Sequence, residues 1–142
     1  MTIAAVLGTK GREVATIDAG ATLCEAAAEL ARRKIGALLV TEGGRITGII
    51  SERDLIGCMA EDRAEVLERR VGEAMTVDVI TVEPDTPVLA ALALMTNRRV
   101  RHLPVTEGGA LVGIVSIGDL VKYRMGRIEA EADAMRAYIQ SA

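Results

Sequence analysis

Two aspartates, Asp54 and Asp119, stand in nearly the same phrase, "GIISERDL" from Gly48 to Leu55 and "GIVSIGDL" from Gly113 to Leu120. In each, an apolar strand-like run ends at a serine, Ser51 or Ser116, and the aspartate follows three residues later, where a helix begins. Two kinds of chemistry suit that spacing. The first is structural: a serine caps an amide of the new helix while the acid returns a bond to the serine's own amide, with Asp in place of the usual Glu or Gln. The second is recognition, because free amides and a hydroxyl at a helix start meet a phosphate, and a carboxylate one turn along accepts both hydroxyls of a ribose diol. Phosphate and ribose together mean a nucleotide. The short runs "ATI" and "ITV" further upstream then offer backbone donors and acceptors to an adenine edge.

Other chemistries find little support. His102 is the single histidine, and a lone histidine on a strand reads as a hydrogen-bonded or surface residue. No second histidine, cysteine pair or carboxylate cluster stands near it, so neither a metal site nor a nucleophile-and-base arrangement is expected, and the chain is not read as an enzyme. A G-x-G-x-x-G loop is missing too, which removes dinucleotide binding of that kind. Cys24 and Cys58, beside leucine and methionine, read as small core or semi-buried residues. Without a CxxC pair or a secretory leader, they point to the reducing cytoplasm. The net charge of −3 is spread over interspersed acids and bases, and the only aromatics are Tyr123 and Tyr138. Neither a field that draws nucleic acid or an anionic membrane nor a base-stacking platform is present. No apolar run is long enough to span a bilayer.

The elements that must position the two corners repeat as well. Asp119 lies 65 positions after Asp54, and at that offset the copies match without a gap back to Val14 and Val79, with "VTEGG" at Val40 and again at Val105. Of the 142 residues half are hydrophobic, enough for a core, and two copies of a unit too small to bury its own core are expected to pack about a pseudo-twofold axis. Each copy reads as strand, helix, strand, strand, helix. "VATI" and "VITV" are the first strands, and Leu23, Ala26, Ala27, Leu30 or Val88, Leu92, Met95 give the helix its apolar face. Thr86 and Pro87 are expected to open the second copy's helix as N-cap and first residue, with Thr22 a weaker counterpart. A Glu-Gly-Gly turn closes each hairpin, and Pro104 implies an edge or irregular pairing. Residues 60–76 between the copies are helical by composition. Past the second copy a helix is expected from Ile117 to Ile139, with Val121, Met125, Ile128, Ala132, Met135 and Ile139 forming a coiled-coil-like seam that suits a second subunit.

In this order the motifs resemble a tandem pair of cystathionine-β-synthase-type (CBS) domains, the Bateman module. The two Gly-to-Leu phrases carry the resemblance, with "VITVEPDTPVLAALALM", "VRHLPV" and "VGEAMT". It implies an α/β (α+β) fold of two pseudo-twofold-related β-α-β-β-α repeats with a long C-terminal helix: residues 3–59, a helical linker 60–70, residues 71–123, and an extension 124–142. It also implies adenine nucleotides in two clefts between the repeats, with Asp54 and Asp119 on the ribose hydroxyls and Ser51 and Ser116 facing phosphate or ribose. Adenine would meet the backbone of Thr16 with Ile17 and of Thr81 with Val82. Each cleft would borrow the middle strand of the opposite repeat. Arg101 and His102 then join Arg53 at the Asp54 cleft, whereas Gly36 and Ala37, with Gly118, serve the Asp119 cleft. Charge-assisted bonds favour phosphate-rich ligands at Asp54. The function expected is a regulatory sensor, a homodimeric disc of four repeats, that binds AMP, ADP or ATP, with NAD next and S-adenosylmethionine also in range, and signals to an effector protein. The alternative is a dimeric scaffold with vestigial clefts.

Overall fold

The computed structural model describes residues 1–61 and 65–141. In chain order its elements are α1 (Ile3–Lys10), β1 (Thr16–Asp18), α2 (Leu23–Arg33), β2 (Ala37–Glu42), β3 (Arg45–Ser51), α3 (Glu52–Glu61), a 3-10 turn (Val66–Glu68), α4 (Val71–Ala74), α5 (Val88–Arg98), β4 (His102–Glu107), β5 (Ala110–Ser116) and α6 (Ile117–Ser141). They form two compact units: Val14–Val79, and Met1–Glu13 with Ile80–Ala142. The first break falls at Val14, where the ungapped repeat begins, and the N-terminal segment belongs to the unit of the second repeat.

In the first-repeat unit β1 runs parallel to β2, and β2 pairs antiparallel with β3. The turn between β2 and β3 is Gly43-Gly44 with φ of 59° and 81°, and the turn between β4 and β5 repeats it at Gly108-Gly109 with 58° and 82°. Two consecutive positive φ values define the hairpin turn whose twist matches its strands, and glycine takes them without a Cβ penalty. Both hairpins slip register at the same place, Val40/Thr41 and Val105/Thr106, the latter next to Pro104. Leu23, Ala26 and Leu30 of α2 lie under Leu38, Val40 and Ile50 to make this unit's core.

The second-repeat unit has the same plan with one strand reduced. "VITV" contributes a single parallel bridge, Val82 with Val105, rather than a strand. Its core sets Val88, Ala91 and Met95 of α5 against Leu103, Val105 and Val115, and adds Ile3, Val6 and Leu7 from α1.

The expectations for the helix starts, the inter-repeat stretch and Cys24 need correction. The helix starts are reversed in quality. Thr22 and Glu25 make a full capping box at α2, whereas α5 begins at Val88 with Pro87 as an N-cap that offers no side-chain bond. Thr86 uses its hydroxyl on the Glu83 amide instead, at 3.1 Å. The N-terminal segment does the capping: the Val88 N–H donates to the Met1 carbonyl and the Ile3 N–H to the Thr86 carbonyl. Such foreign backbone partners satisfy the groups that a helix start leaves open. The inter-repeat stretch is no continuous helix either. Among its described residues it holds the 3-10 turn and the four-residue α4, because Leu23, Val71 and Gly72 each spend an amide on long-range partners, Arg69, Ala21 and Ala19; residues 62–64 lie outside the described part. Cys24 is exposed, since the α2 face buries its neighbour Leu23, while Cys58 is buried as expected.

The long helix is present. α6 spans 25 residues, about 37 Å of rise, and Leu120 in its first turn is its one fully buried side chain among those described. The seam residues beyond it, Met125, Ile128, Met135 and Ile139, are each half exposed or more.

Candidate functional site

Each residue of the repeated phrase has a visible task. Its glycine makes room for a crossing segment. A Cβ on Gly48 would lie 2.6 Å from the Met75 sulfur and 2.7 Å from the Thr76 carbonyl oxygen; on Gly113 it would lie 2.8 Å from a methyl of Leu7. The crossing pieces are the ends of α1 and α4, so each repeat is closed by the segment that precedes the other repeat in sequence. Between glycine and serine, Ile50 and Val115 point into their cores.

The serine and aspartate form reciprocal boxes in both units. The Ser51 N–H donates to Asp54 Oδ2 at 2.9 Å and the Asp54 N–H to Ser51 Oγ at 3.4 Å; the corresponding distances at Ser116 and Asp119 are 2.8 and 3.1 Å. A second backbone bond pins each helix start, from the Glu52 N–H to the Gly36 carbonyl and from the Ile117 N–H to the Arg101 carbonyl. The capping-box reading is therefore correct as far as it goes. It uses one carboxylate oxygen and leaves acceptor capacity on the other, since a carboxylate offers about four lone-pair positions. All four side chains are half-buried at the surface of their unit.

What closes each carboxylate from outside the phrase differs. Asp54 Oδ1 accepts from the Thr76 hydroxyl at 3.3 Å, and Thr76 also exchanges both backbone bonds with Ile49. In the other unit one Lys10 ammonium pairs with Asp119 at Oδ2, the oxygen that also takes the Ser116 amide, at 2.7 Å, and donates to the carbonyl of Ile114, the residue aligned with Ile49. Burial alone pushes the Asp119 carboxyl up, but the Lys10 ammonium, the Ser116 amide and the Ser116 hydroxyl outweigh it and hold the group below its usual value.

The other expected residues fall around these corners. Ala37 stands opposite Ser51 in the β2–β3 register and His102 opposite Ser116 in β4–β5. The structure thus places Ala37 in the unit of Asp54, with Arg53 exposed on α3, and Arg101 and His102 in the unit of Asp119. Thr16 and Ile17 lie on β1, whose free edge faces away from β2. Val82 gives its N–H to the Pro104 carbonyl and its carbonyl to the Thr106 N–H, so its main chain is committed to β4. Alternate residues of a strand turn their polar groups to opposite sides, which leaves Thr16 with its main chain toward the open edge of β1, while Thr81 precedes the single bridge at Val82 and lies outside any strand. Lys10 and Thr76 were not singled out by sequence reasoning. Both lie outside the ungapped match, and no spacing rule points from either to its aspartate. Among the described residues no group of three or more His, Cys, Asp or Glu is placed to hold a metal ion.

Comparison with known proteins agrees with this geometry. The family model for the CBS domain matches twice, at residues 10–61 and 71–126. A mitochondrial CBS domain-containing protein of Arabidopsis thaliana is 36% identical over 124 residues, 84% of this chain, and the match spans 60% of that relative's length. A CBS-domain protein from Agrobacterium tumefaciens superposes with a TM-score of 0.85 at 40% identity, covering 87% of this chain and 92% of its own. The CBS domain pair of protein MJ0100, solved in complex with 5′-methylthioadenosine and S-adenosyl-L-methionine, gives 0.78 at 25% identity, covering 89% and 98%.

Proposed function

Because the chain belongs to the CBS-domain family, as a tandem pair of such domains, we propose that it is a regulatory sensor of an adenosyl ligand and not a catalyst. The observation that carries this reading is the duplicated corner. A half-buried carboxylate, held at a helix start by its serine, keeps acceptor capacity in both units. A ribose diol needs such an acceptor, a phosphate suits the adjacent helix start, and an adenine edge suits main-chain groups like those of Thr16 and Thr81. The contact set we propose is Thr16, Ile17, Ala37, Ser51, Arg53 and Asp54, with Thr81, Val82, Arg101, His102, Ser116 and Asp119. Support also comes from MJ0100, whose domain pair holds two adenosyl compounds.

AMP or ATP is the ligand we favour, with NAD next. Occupancy becomes a signal only if the ligand prefers one arrangement of the protein over another. The reader of that signal would be a partner protein, and the protein itself would act as a homodimer joined along the exposed seam of α6. We place it in the cytoplasm, where the exposed Cys24 thiol stays reduced; among the described residues no helix is long and apolar enough to cross a membrane.

A thermal-shift panel of AMP, ADP, ATP, NAD and S-adenosylmethionine tests the reading on wild type and on the Asp54→Ala, Asp119→Ala double variant. At ligand concentrations a hundredfold above Kd, stabilisation is about 2.7 kcal/mol, a rise of several degrees in Tm. At least one ligand should give that rise in wild type and not in the double variant. If none raises the melting temperature at millimolar levels, the corners are capping boxes alone and the scaffold reading replaces the sensor.

A further inference from the structure

Within each unit the aspartate corner is closed from outside the repeated phrase, by a hydroxyl in one case and by a cation in the other. Thr76 donates to Asp54 through a group that rotates, accepts as readily as it donates, and carries no charge. Lys10 donates to Asp119 through an ammonium that only donates, at 2.7 Å, with its side chain 31% exposed and the carboxylate 26% exposed. Its second bond, to the Ile114 carbonyl, fixes it to β5, and α1 behind it is anchored by the buried Ile3, Val6 and Leu7.

From this difference we infer that Lys10 is a specificity-determining residue, which makes the Asp119 corner select adenosyl ligands that carry an anionic group next to the ribose. The inference rests on the adenosyl-sensor reading. A neutral diol can take Asp119 Oδ1, which neither the ammonium nor the Ser116 amide uses, and leave Lys10 on Oδ2, so adenosine gains nothing from the cation. A ligand with a 5′-phosphate gives the ammonium a second anion within reach of a flexible four-carbon stem, so a charge-assisted bond is added to those the diol makes. The Asp54 corner has no such cation from its closing segment, since Thr76 brings only a hydroxyl.

The test is calorimetry with two probes, adenosine and adenosine 5′-monophosphate, on the full chain in an Asp54→Ala background, where binding reports the Asp119 corner. With Lys10 present the monophosphate should bind at least tenfold more tightly than adenosine, the size of one charge-assisted bond. Lys10→Met, which keeps the stem, should lower that ratio about tenfold by weakening the monophosphate and leaving adenosine nearly unchanged, and Lys10→Arg should retain it. In the mirror experiment, Thr76→Lys in an Asp119→Ala background should raise the ratio at Asp54. Wild-type protein gives a check without substitution: the 15N resonance of the Lys10 ammonium should shift with the monophosphate and stay in place when adenosine occupies the site. If both probes bind and Lys10→Met changes them equally, or the ammonium signal ignores the monophosphate, the inference is overturned and the sensor reading stands. If neither probe binds any of these proteins, the inference is overturned and the thermal-shift panel alone decides the sensor reading.

Discussion

The pairing of Lys10 with Asp119 should be measurable in the unliganded protein as a coupling energy with a defined pH dependence. The two groups meet at 2.7 Å with roughly a quarter to a third of each side chain exposed. Fully exposed pairs are worth about 0.2–1 kcal/mol, and removing one partner of a fully buried pair costs about 3–5 kcal/mol. Half-buried, with solvent still screening both ends, the pair should give a coupling of about 1–2 kcal/mol at pH 7. A double-mutant cycle of Lys10→Met and Asp119→Asn isolates it, since the asparagine carbonyl still accepts the Ser116 amide. Urea unfolding supplies the free energies, with equal m-values as the condition for comparing them. The folded Asp119 carboxyl titrates below its ordinary value of 3.8, so its contribution is complete above that value and disappears as pH falls through the folded one. Wild type should therefore lose more stability on acidification than Lys10→Met does, and the coupling should vanish once Asp119 is protonated. A coupling below about 0.3 kcal/mol at pH 7, or one that persists unchanged in acid, would refute the reasoning.

Three further outcomes follow from the geometry. Gly48→Ala should destabilise by about 2–3 kcal/mol in urea unfolding, because the new methyl meets the Thr76 carbonyl and the Ile49–Thr76 bridge must open; Gly113→Ala, which meets only methyls of Leu7, should cost about 1–2 kcal/mol. Thr22→Ala should cost about 1 kcal/mol through its capping box, while Thr86→Ala, whose hydroxyl serves a turn, should stay within about 0.5 kcal/mol; equal losses would show that the helix starts are misassigned. Ile128→Glu should leave the melting temperature nearly unchanged while light scattering falls from the dimer mass to that of the 15.0 kDa chain; a wild type already at 15.0 kDa would remove the α6 dimer.

The duplication made most of this fold legible. A match at a fixed offset from Val14 onward sets the element order twice, and apolar spacing gives the α2 and α5 faces whose Leu23, Ala26, Val88 and Met95 are buried. Glycine pairs mark both hairpin turns, because consecutive positive φ values have few other solutions. The failures share one cause. Thr86 looks like an N-cap until Met1 and Ile3 supply the bonds instead, and residues 60–76 look helical until long-range partners claim their amides. In both cases a segment distant in sequence settles the local structure, and local propensity carries no record of it.

The same cause bears on the site. The serine, the aspartate and the glycine of the phrase are duplicated faithfully, and the phrase distinguishes the corners only by Glu52 and Arg53 against Ile117 and Gly118, apart from the buried Ile50 against Val115. The segments that close the corners are not duplicates: "EAMT" brings a hydroxyl to Asp54, and "LGTK" brings a charge to Asp119. A carboxylate facing a hydroxyl and a carboxylate facing an ammonium present different fields to a guest even with identical geometry behind them. Any difference in what the two corners bind should therefore follow Thr76 and Lys10 when these are exchanged. Exchanging Arg53 and Gly118, which flank the corners from exposed helix faces, should move the preference less, because solvent screens a charge on an exposed face.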